Sequence, residues 1–476
     1  MLLSRGNWAG VRSKARRCDS NPDRDQHGHN HEHSHSDRLT DSDRDGHDHD
    51  NPNRDNHVHA YDVADAVHSS NFHVHAIAHL YVYSIFHTNA DQYTHSNVYA
   101  VADGDPYGYP DAYIDAFPNA MTDILPFLNS LISEAGLSAY ETPVARLIEE
   151  KWSPLVDEIS TSRLGSLHAL KRGKGKGKHP TIMIATHMDA IGLMVNGIVD
   201  EFLHVDEIGG IDPRILPGTP VMVHGRKNLP GVVVMPPAKS LPDHGHNEAV
   251  GLPNLLIDVG LTAAQVKRLV QVGDIVSFDT KPVDMAGETI SGHSLDNRAS
   301  VAALTVCLEG LQGKSHTWDV WAVATAQEEE TLGGAATSAF HLQPDLAVVI
   351  DVTFAKGPGA NSWQTFPMGK GPTLGWGANL HPYLYERCKE LAERLEIPVS
   401  IDIAPAYSGT DAHAIQVARD GIPTLLLGIP LRYMHTPVEM VAVKDVLRAG
   451  RLLAEFICDL EPGFVSEITW EDKSAE

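Results

Sequence analysis

Short apolar runs that stop at an acid or an imidazole recur along this chain and govern what it can fold into. Residues 181–186 (TIMIAT) are followed by His187 and Asp189. Residues 318–325 lead into Glu328, Glu329 and Glu330, and residues 346–350 end at Asp351. Residues 424–427 form another run, with His435 beyond it, and Asp296 likewise stands at the edge of such a segment, just before the helical spacing that starts at Arg298. Continuous apolar runs of this length read as buried strands. Helical spacing of apolar residues lies between and around them, at 124–135, 142–156, 298–311, 333–340, 382–395 and 443–458. Thr410 and Asp411 stand at the cap of another short helix. Strand and helix in alternation predict an α/β fold. Polar residues gathered at strand ends predict a metal site built from loops at one edge of the sheet.

Residues 192–292 have another texture. Gly, Pro and Val are frequent, and helical periodicity is confined to 262–270. Short strands are expected at 202–205, 220–224, 231–234 and 274–278, giving a compact β domain inserted into the α/β domain. The resulting partition is 121–192 and 292–462 for the two parts of the α/β domain, 193–291 for the insertion and 463–476 for a C-terminal tail. His244 and His246 read as part of a polar loop, with ligation as the alternative. The basic loop KRGKGKGKH lacks the GxxxxGK[ST] spacing of a phosphate cradle and reads as a solvated hairpin turn.

Residues 1–120 differ from everything after them. Fifteen of the 28 histidines lie there, Lys14 is followed by no lysine until Lys151, and Glu32 is the only glutamate before Glu134. Asp, His, Asn and Tyr dominate, and they share one codon form that Lys, Glu and Gln leave by a single purine. This bias belongs to a repetitive nucleotide tract. The stretch therefore reads as upstream sequence translated from a start placed too early, with Met121 the natural initiator. A disordered His/Asp-rich tail of weak metal affinity is the second reading. Either way it is too polar to offset its ordering entropy.

A net charge of −25 argues against non-specific nucleic-acid binding. The N-terminus lacks a long apolar segment of the secretory kind, and residues 75–86 are too short and too rich in histidine to span a membrane. Cys18, Cys307, Cys388 and Cys458 show neither CxxC nor paired spacing, which fits a reducing cytoplasm.

Adjacent acids such as Glu328 and Glu329 repel each other unless a cation or a proton offsets the charge. A two-metal hydrolase has use for them: one ligates while its neighbour moves a proton. Such a site also needs a carboxylate shared by both ions and an imidazole on each, an inventory these strand ends supply.

The segments THMDAIGLMV, GGIDPRILPG, HSLDNRAS, QEEETLGGA, DVTFA, GKGP, SGTDAHAIQ and IPLRYMHTPVEM together resemble the tetrahedral (TET) aminopeptidase family, which includes glutamyl and deblocking aminopeptidases. The resemblance runs from Met121 to about Leu460. It implies a mixed-sheet catalytic domain with an inserted dimerisation domain and assembly into twelve-subunit shells. It implies two divalent ions, Zn or Co with Mn as a further option. His187, Asp296 and Asp351 would hold one, and Asp296, Glu329 and His435 the other, Asp296 bridging. Glu328 would be the general base acting on a shared water, and Asp189 would orient His187. The implied reaction removes the N-terminal residue of a peptide. A related dinuclear carboxypeptidase or amide deacylase is the rival enzyme, and a metal-sequestering protein working through its His-rich tail the rival outside enzymes. The chain departs from the family at Ala190, where Glu is usual, and at Glu330 and Thr331, where Val-Gly is usual. His413 is a variable position that would touch substrate or lie on a helix surface.

Overall fold

The computed structural model describes residues 123–237 and 250–468. The readings of the 1–120 extension, of Met121, of His244 and His246, and of the end of the 463–476 tail lie outside the described residues. Helices α1 (Leu125–Ser133) and α2 (Thr142–Trp152) come first, each with a proline in its first turn, where no intrahelical donor is lost. The hairpin β1 (Glu158–Thr161) and β2 (Leu167–Lys171) precedes β3 (Thr181–His187). Next are β4 (Gly192–Val199), β5 (Phe202–Ile208), β6 (Pro220–His224), β7 (Asn228–Val234), β8 (Leu256–Asp258), α3 (Ala263–Leu269) and β9 (Ile275–Phe278). The strands β10 (Val283–Met285) and β11 (Thr289–Gly292) lead to α4 (Leu295–Gly310) and β12 (Asp319–Thr325). Then come the one-turn α5 (Glu328–Thr331), α6 (Gly333–Leu342), β13 (Leu346–Phe354), β14 (Thr373–Gly377) and α7 (Pro382–Arg394). The elements β15 (Ser400–Ala404), α8 (Asp411–Gln416), β16 (Thr424–Arg432), β17 (Glu439–Ala442) and α9 (Val443–Asp459) complete the order.

The fold is α/β on a mixed sheet. Its strands run β1-β2-β12-β3-β13-β16-β17-β11-β10, with β14 on β16 and β15 on β14. The central four, β12, β3, β13 and β16, are parallel, and antiparallel strands flank them. Their common direction gathers four carboxyl ends on one edge. Thr325 pairs opposite His187, and Val349 opposite Ala185, so Asp351 stands level with His187.

Helices cover both faces of the sheet. On one, α1, α2, α4, α7 and α9 pack over Ile182, Ile184, Val320, Ala322, Val348 and Ile350. On the other, Ala335 and Ala339 of α6 and Ala412 and Ile415 of α8 pack over Met183, Ala185, Val323 and Val349. This two-sided burial is why the central strands read as continuous apolar runs. Helix α4 is buried almost all round, and α9 crosses it closely. A Cβ on Gly450 would lie 2.4 Å from the Ala303 carbonyl oxygen, so only glycine permits that approach.

Strands β4, β5, β8, β7, β6 and β9 close into an antiparallel barrel with its own apolar core, including Leu193, Val205, Val223, Val233, Ile257 and Val276. Strands β10 and β11 join the large sheet through β17. Strands β10, β11 and β17, each of three or four residues, escape sequence reading, as do β4, β8, β14 and β15. Strand β4 holds Gly192, Asn196 and Gly197, β8 has three residues, and β14 carries two glycines. Among the described residues no helix is long and apolar enough to cross a membrane.

One buried histidine of β2 should make the stability of this fold depend on pH. His168 shares a hydrogen bond of 2.8 Å with Ser338 Oγ and stacks on His341. Burial, then the neighbouring His341, lowers its pKa to about 4. Between that value and the ordinary 6.5 the unfolded chain binds the extra proton. Its contribution is therefore whole above 6.5 and is lost as pH falls toward 4, about 2 kcal/mol by pH 5. Urea unfolding at pH 7.5 and 5.0 should show a smaller acid loss for His168→Gln than for the parent chain. Equal losses would remove His168 from that role.

Candidate metal centre

Each predicted site residue reaches the same sheet edge by a different local device. His187 ends β3 and Asp351 lies near the end of β13. Asp296 sits where the start of α4 departs from helical geometry (φ −79°, ψ 102°), just after left-handed Ser294. The three glutamates occupy a single helical turn between two left-handed residues, Gln327 (φ 59°) and Leu332 (φ 53°). His435, itself left-handed (φ 61°), follows β16.

Asp296 lies between the two imidazoles. Its Oδ1 is 3.1 Å from His187 Nε2, and its Oδ2 is 3.5 Å from His435 Nε2. Asp351 Oδ1 stands 3.8 Å from His187 Nε2, and Glu329 Oε2 stands 3.3 Å from His435 Nε2. Donor atoms about 2.05 Å from a tetrahedral cation are about 3.3 Å from one another. The four spacings, two within each triad that the sequence predicts, bracket that value, so these donor pairs stand at the separation that a shared cation requires. One donor atom each from His187, Asp296 and Glu329 also lie within 4.8 Å of one another, a set that spans the two triads through Asp296.

Electrostatics point the same way. Burial raises the pKa of Asp351 well above the ordinary carboxylate value, against the pull of His187. Burial likewise raises Glu329, with Asp296 adding to it, and pushes Glu328 up to about 10. His187 is held well above the usual imidazole value because Glu328, Asp189, Asp296 and Asp351 outweigh its burial. The Glu329 contact, acting against burial, lifts His435 to about 9. Without a cation, this cluster needs protons to stay together. Glu329 Oε1 is buried with no hydrogen-bond partner among the described residues, a place where a cation meets an unmet acceptor.

Two further buried carboxylates hold the backbone of the site. Asp189 accepts hydrogen bonds from the amides of Glu328 (3.0 Å) and Glu329 (3.2 Å), and from the Ser138 hydroxyl. Burial alone would raise its pKa, but the His187 and Ser138 hydrogen bonds and the Glu328 amide lower it. His187 Nδ1 lies 3.2 Å from the Asp189 carbonyl oxygen and 3.5 Å from its carboxylate, so Asp189 faces both the imidazole and the glutamate turn. Glu439 does the same across the site, accepting from the amides of Asp296 and His435 at 3.0 Å each. Farther out, Glu141 accepts from the Gln327 amide at 3.0 Å. Buried Arg298 donates to the carbonyls of Leu131, Glu134 and Gly136, tying the α1–α2 connection to α4.

Sequence reading missed Glu439, Ser138, Glu141, Arg298 and the part played by Asp411. Glu439 carried a weak signal, four residues after His435 in HTPVE. Asp411 was read with Thr410 as a helix cap. Thr410 does cap α8, but the Asp411 carboxylate is buried and accepts from the Thr325 hydroxyl at the end of β12. His413, on the same helix, packs its ring against Tyr407 at 4.5 Å between centroids.

The fold and this cluster define a hydrolase-type α/β domain with a barrel inserted after its first parallel strand. A family model for M42 glutamyl aminopeptidase matches residues 165–452. The chain is 31% identical to the lysyl aminopeptidase of Pyrococcus furiosus, over 70% of this chain and 97% of that protein. Its structure is similar to an aminopeptidase from the archaeon Desulfurococcus kamchatkensis, with a TM-score of 0.66 and 32% identity over 72% of this chain and 97% of that one. It is also similar to a TET peptidase of Pyrococcus horikoshii described as able to assemble into a tetrahedron or a large octahedral shell. There the TM-score is 0.62 and identity 28%, over 71% of this chain and all of the other. The chain therefore belongs to the M42 glutamyl aminopeptidase family and is a hydrolase acting on peptides. Peptidases of this family are metal-dependent.

Glu439→Gln would set an amide N–H₂ against one backbone N–H that now meets an acceptor. Metal affinity should fall about tenfold or more, as when partners behind a ligand are lost, read by titrating metal-stripped protein with Zn²⁺. Unchanged affinity would show that the Glu439 clamp does not position Asp296 and His435.

Proposed function

We propose that the chain is a dinuclear aminopeptidase that removes the N-terminal residue of peptides, with Glu328 as its proton-transfer group. The observation that carries this reading is the placing of Asp296 between two imidazole-carboxylate triads. His187, Asp296 and Asp351 hold one divalent ion and Asp296, Glu329 and His435 the other, Zn or Co with Mn as a further option. When bound, such ions polarise the scissile carbonyl and acidify water.

Glu328 belongs to neither triad, yet its Oε2 lies 3.8 Å from His187 Nε2, with the side chain almost wholly buried. It takes a proton from the attacking water and delivers it to the departing amine nitrogen as the C–N bond breaks. Burial keeps the carboxyl protonated until positive charge enters the site, so its work as a base is tied to the charge beside it. Asp189 fixes where Glu328 and Glu329 stand by gripping both amides, which separates ligand from base within one turn.

We assign the barrel of β4 to β9, within the 193–291 insertion, to dimerisation, and the rest of the fold (121–192 and 292–462, with β10 and β11 joined to its sheet) to catalysis. The shells described for the Pyrococcus horikoshii relative support a homo-oligomer, with a dodecamer as the expected form. Light scattering on the intact protein reads this directly, and a monomer would oppose it. Free Cys307, Cys388 and Cys458 fit a cytoplasmic setting, where separation of the cellular compartments should find the protein.

Glu328→Gln is expected to keep full metal content and lose activity on aminoacyl-p-nitroanilides by about 10²-fold or more. His435→Ala is expected to lower metal content per chain as well. Wild-type turnover by Glu328→Gln would remove the proton-transfer role. Release of N-acyl amino acids, with no cleavage of aminoacyl substrates, would favour a deacylase.

A further inference from the structure

Glu330 is the acid of the EEE turn for which the two-ion site has no use. Its side chain reaches away from the triads to the inserted barrel. Oε1 accepts the Gly209 amide hydrogen at 2.6 Å, joining residues 121 positions apart. Gly209 and Gly210 directly follow β5 and run beside one half of the site. Gly209 is left-handed (φ 74°), and a Cβ there would lie 2.5 Å from Ile191 Cγ2 and 3.5 Å from Glu329 Oε2. A Cβ on Gly210 would lie 3.1 Å from His435 Nδ1 and 3.6 Å from its Cε1. The barrel backbone thus lies against Glu329 and His435, the two residues that meet each other at 3.3 Å.

We propose that Glu330 is a positioning residue: its bond to the Gly209 amide seats the Gly209–Gly210 turn against Glu329 and His435, and so tunes the half-site those residues form with Asp296. The inference rests on the two-ion reading above. His435 needs such support because it stands outside regular structure. Its side chain is 38% exposed, against 2% for His187, which is fixed at the end of a central strand. The amide of His435 is held by Glu439, while the Gly210 backbone borders its ring. The charged carboxylate strengthens the bond to the amide. The bond also makes the barrel a wall of the site on the side of Glu329 and His435.

Two measurements on the full chain test this. Hydrogen–deuterium exchange of metal-free protein, followed on peptides containing Gly209, should be faster in Glu330→Ala than in the parent and close to parental in Glu330→Gln, whose amide oxygen still accepts. Titration of metal-stripped protein with Co²⁺, followed by its visible absorption, should show one equivalent bound as in the parent. The other should bind about tenfold more weakly in Glu330→Ala, with affinity recovered in Glu330→Gln. Gly210→Ala leaves the Glu330 bond in place but crowds His435, and should weaken the same equivalent. Unchanged Gly209 exchange in Glu330→Ala would overturn the bond itself. Faster exchange with both Co²⁺ equivalents unchanged would overturn the positioning role. A parent chain that binds a single Co²⁺ would instead sink the two-ion reading, while the exchange result still decides the Glu330–Gly209 bond.

Discussion

A single carboxylate placed between two imidazoles sets the terms for the whole edge of the sheet that carries the candidate site. Asp296 presents one oxygen to His187 and the other to His435. Glu328, Glu329, Asp351 and Glu439 crowd the same buried volume, where their charges repel and their desolvation is costly. Such a cluster persists only if its backbone is held in place and protons or a cation offset its charge. The backbone is held by two carboxylates that each grip two amides, Asp189 on the glutamate turn and Glu439 on Asp296 and His435. The parallel register does the rest, bringing Thr325, His187 and Asp351 level across three strands.

The parts of the site that sit on buried parallel strands were legible in the sequence. Two-sided burial leaves an unbroken apolar run, and a His or Asp at its end breaks the pattern visibly, as at His187 and Asp351. Asp296 and His435 were candidates from the same pattern, but their roles came from the resemblance of their segments, since Asp296 lies in a break at the start of a helix and His435 in a left-handed loop. The supporting residues were not legible. Ser138 and Glu439 meet their partners only through tertiary packing, Ser138 from 51 positions away and Glu439, for Asp296, from 143. Asp411 was hidden by its neighbour, because Thr410 explains the helix cap by itself. Strand β15 escaped notice because its five residues pair only with β14, a strand broken by glycine.

The EEE turn shows how much geometry can separate like residues. In sequence it is one acidic run, at odds with itself unless charge is offset. In the fold Glu328 faces His187, Glu329 faces His435, and Glu330 leaves the site for the barrel. Three consecutive side chains of one helical turn point in three directions, about 100° apart, and here each direction has its own partner. Glu330 therefore makes a contact between the two parts of the fold.

The proposed sharing of Asp296 between two ions is tested most directly by counting metal ions in Asp296→Asn, a change that keeps the side-chain shape and removes the charge. Elemental analysis of the intact protein equilibrated with Zn²⁺ should find that both ions are lost together, because each triad depends on the same carboxylate. A variant that keeps one ion at parental affinity would contradict a shared ligand and require the two triads to be independent.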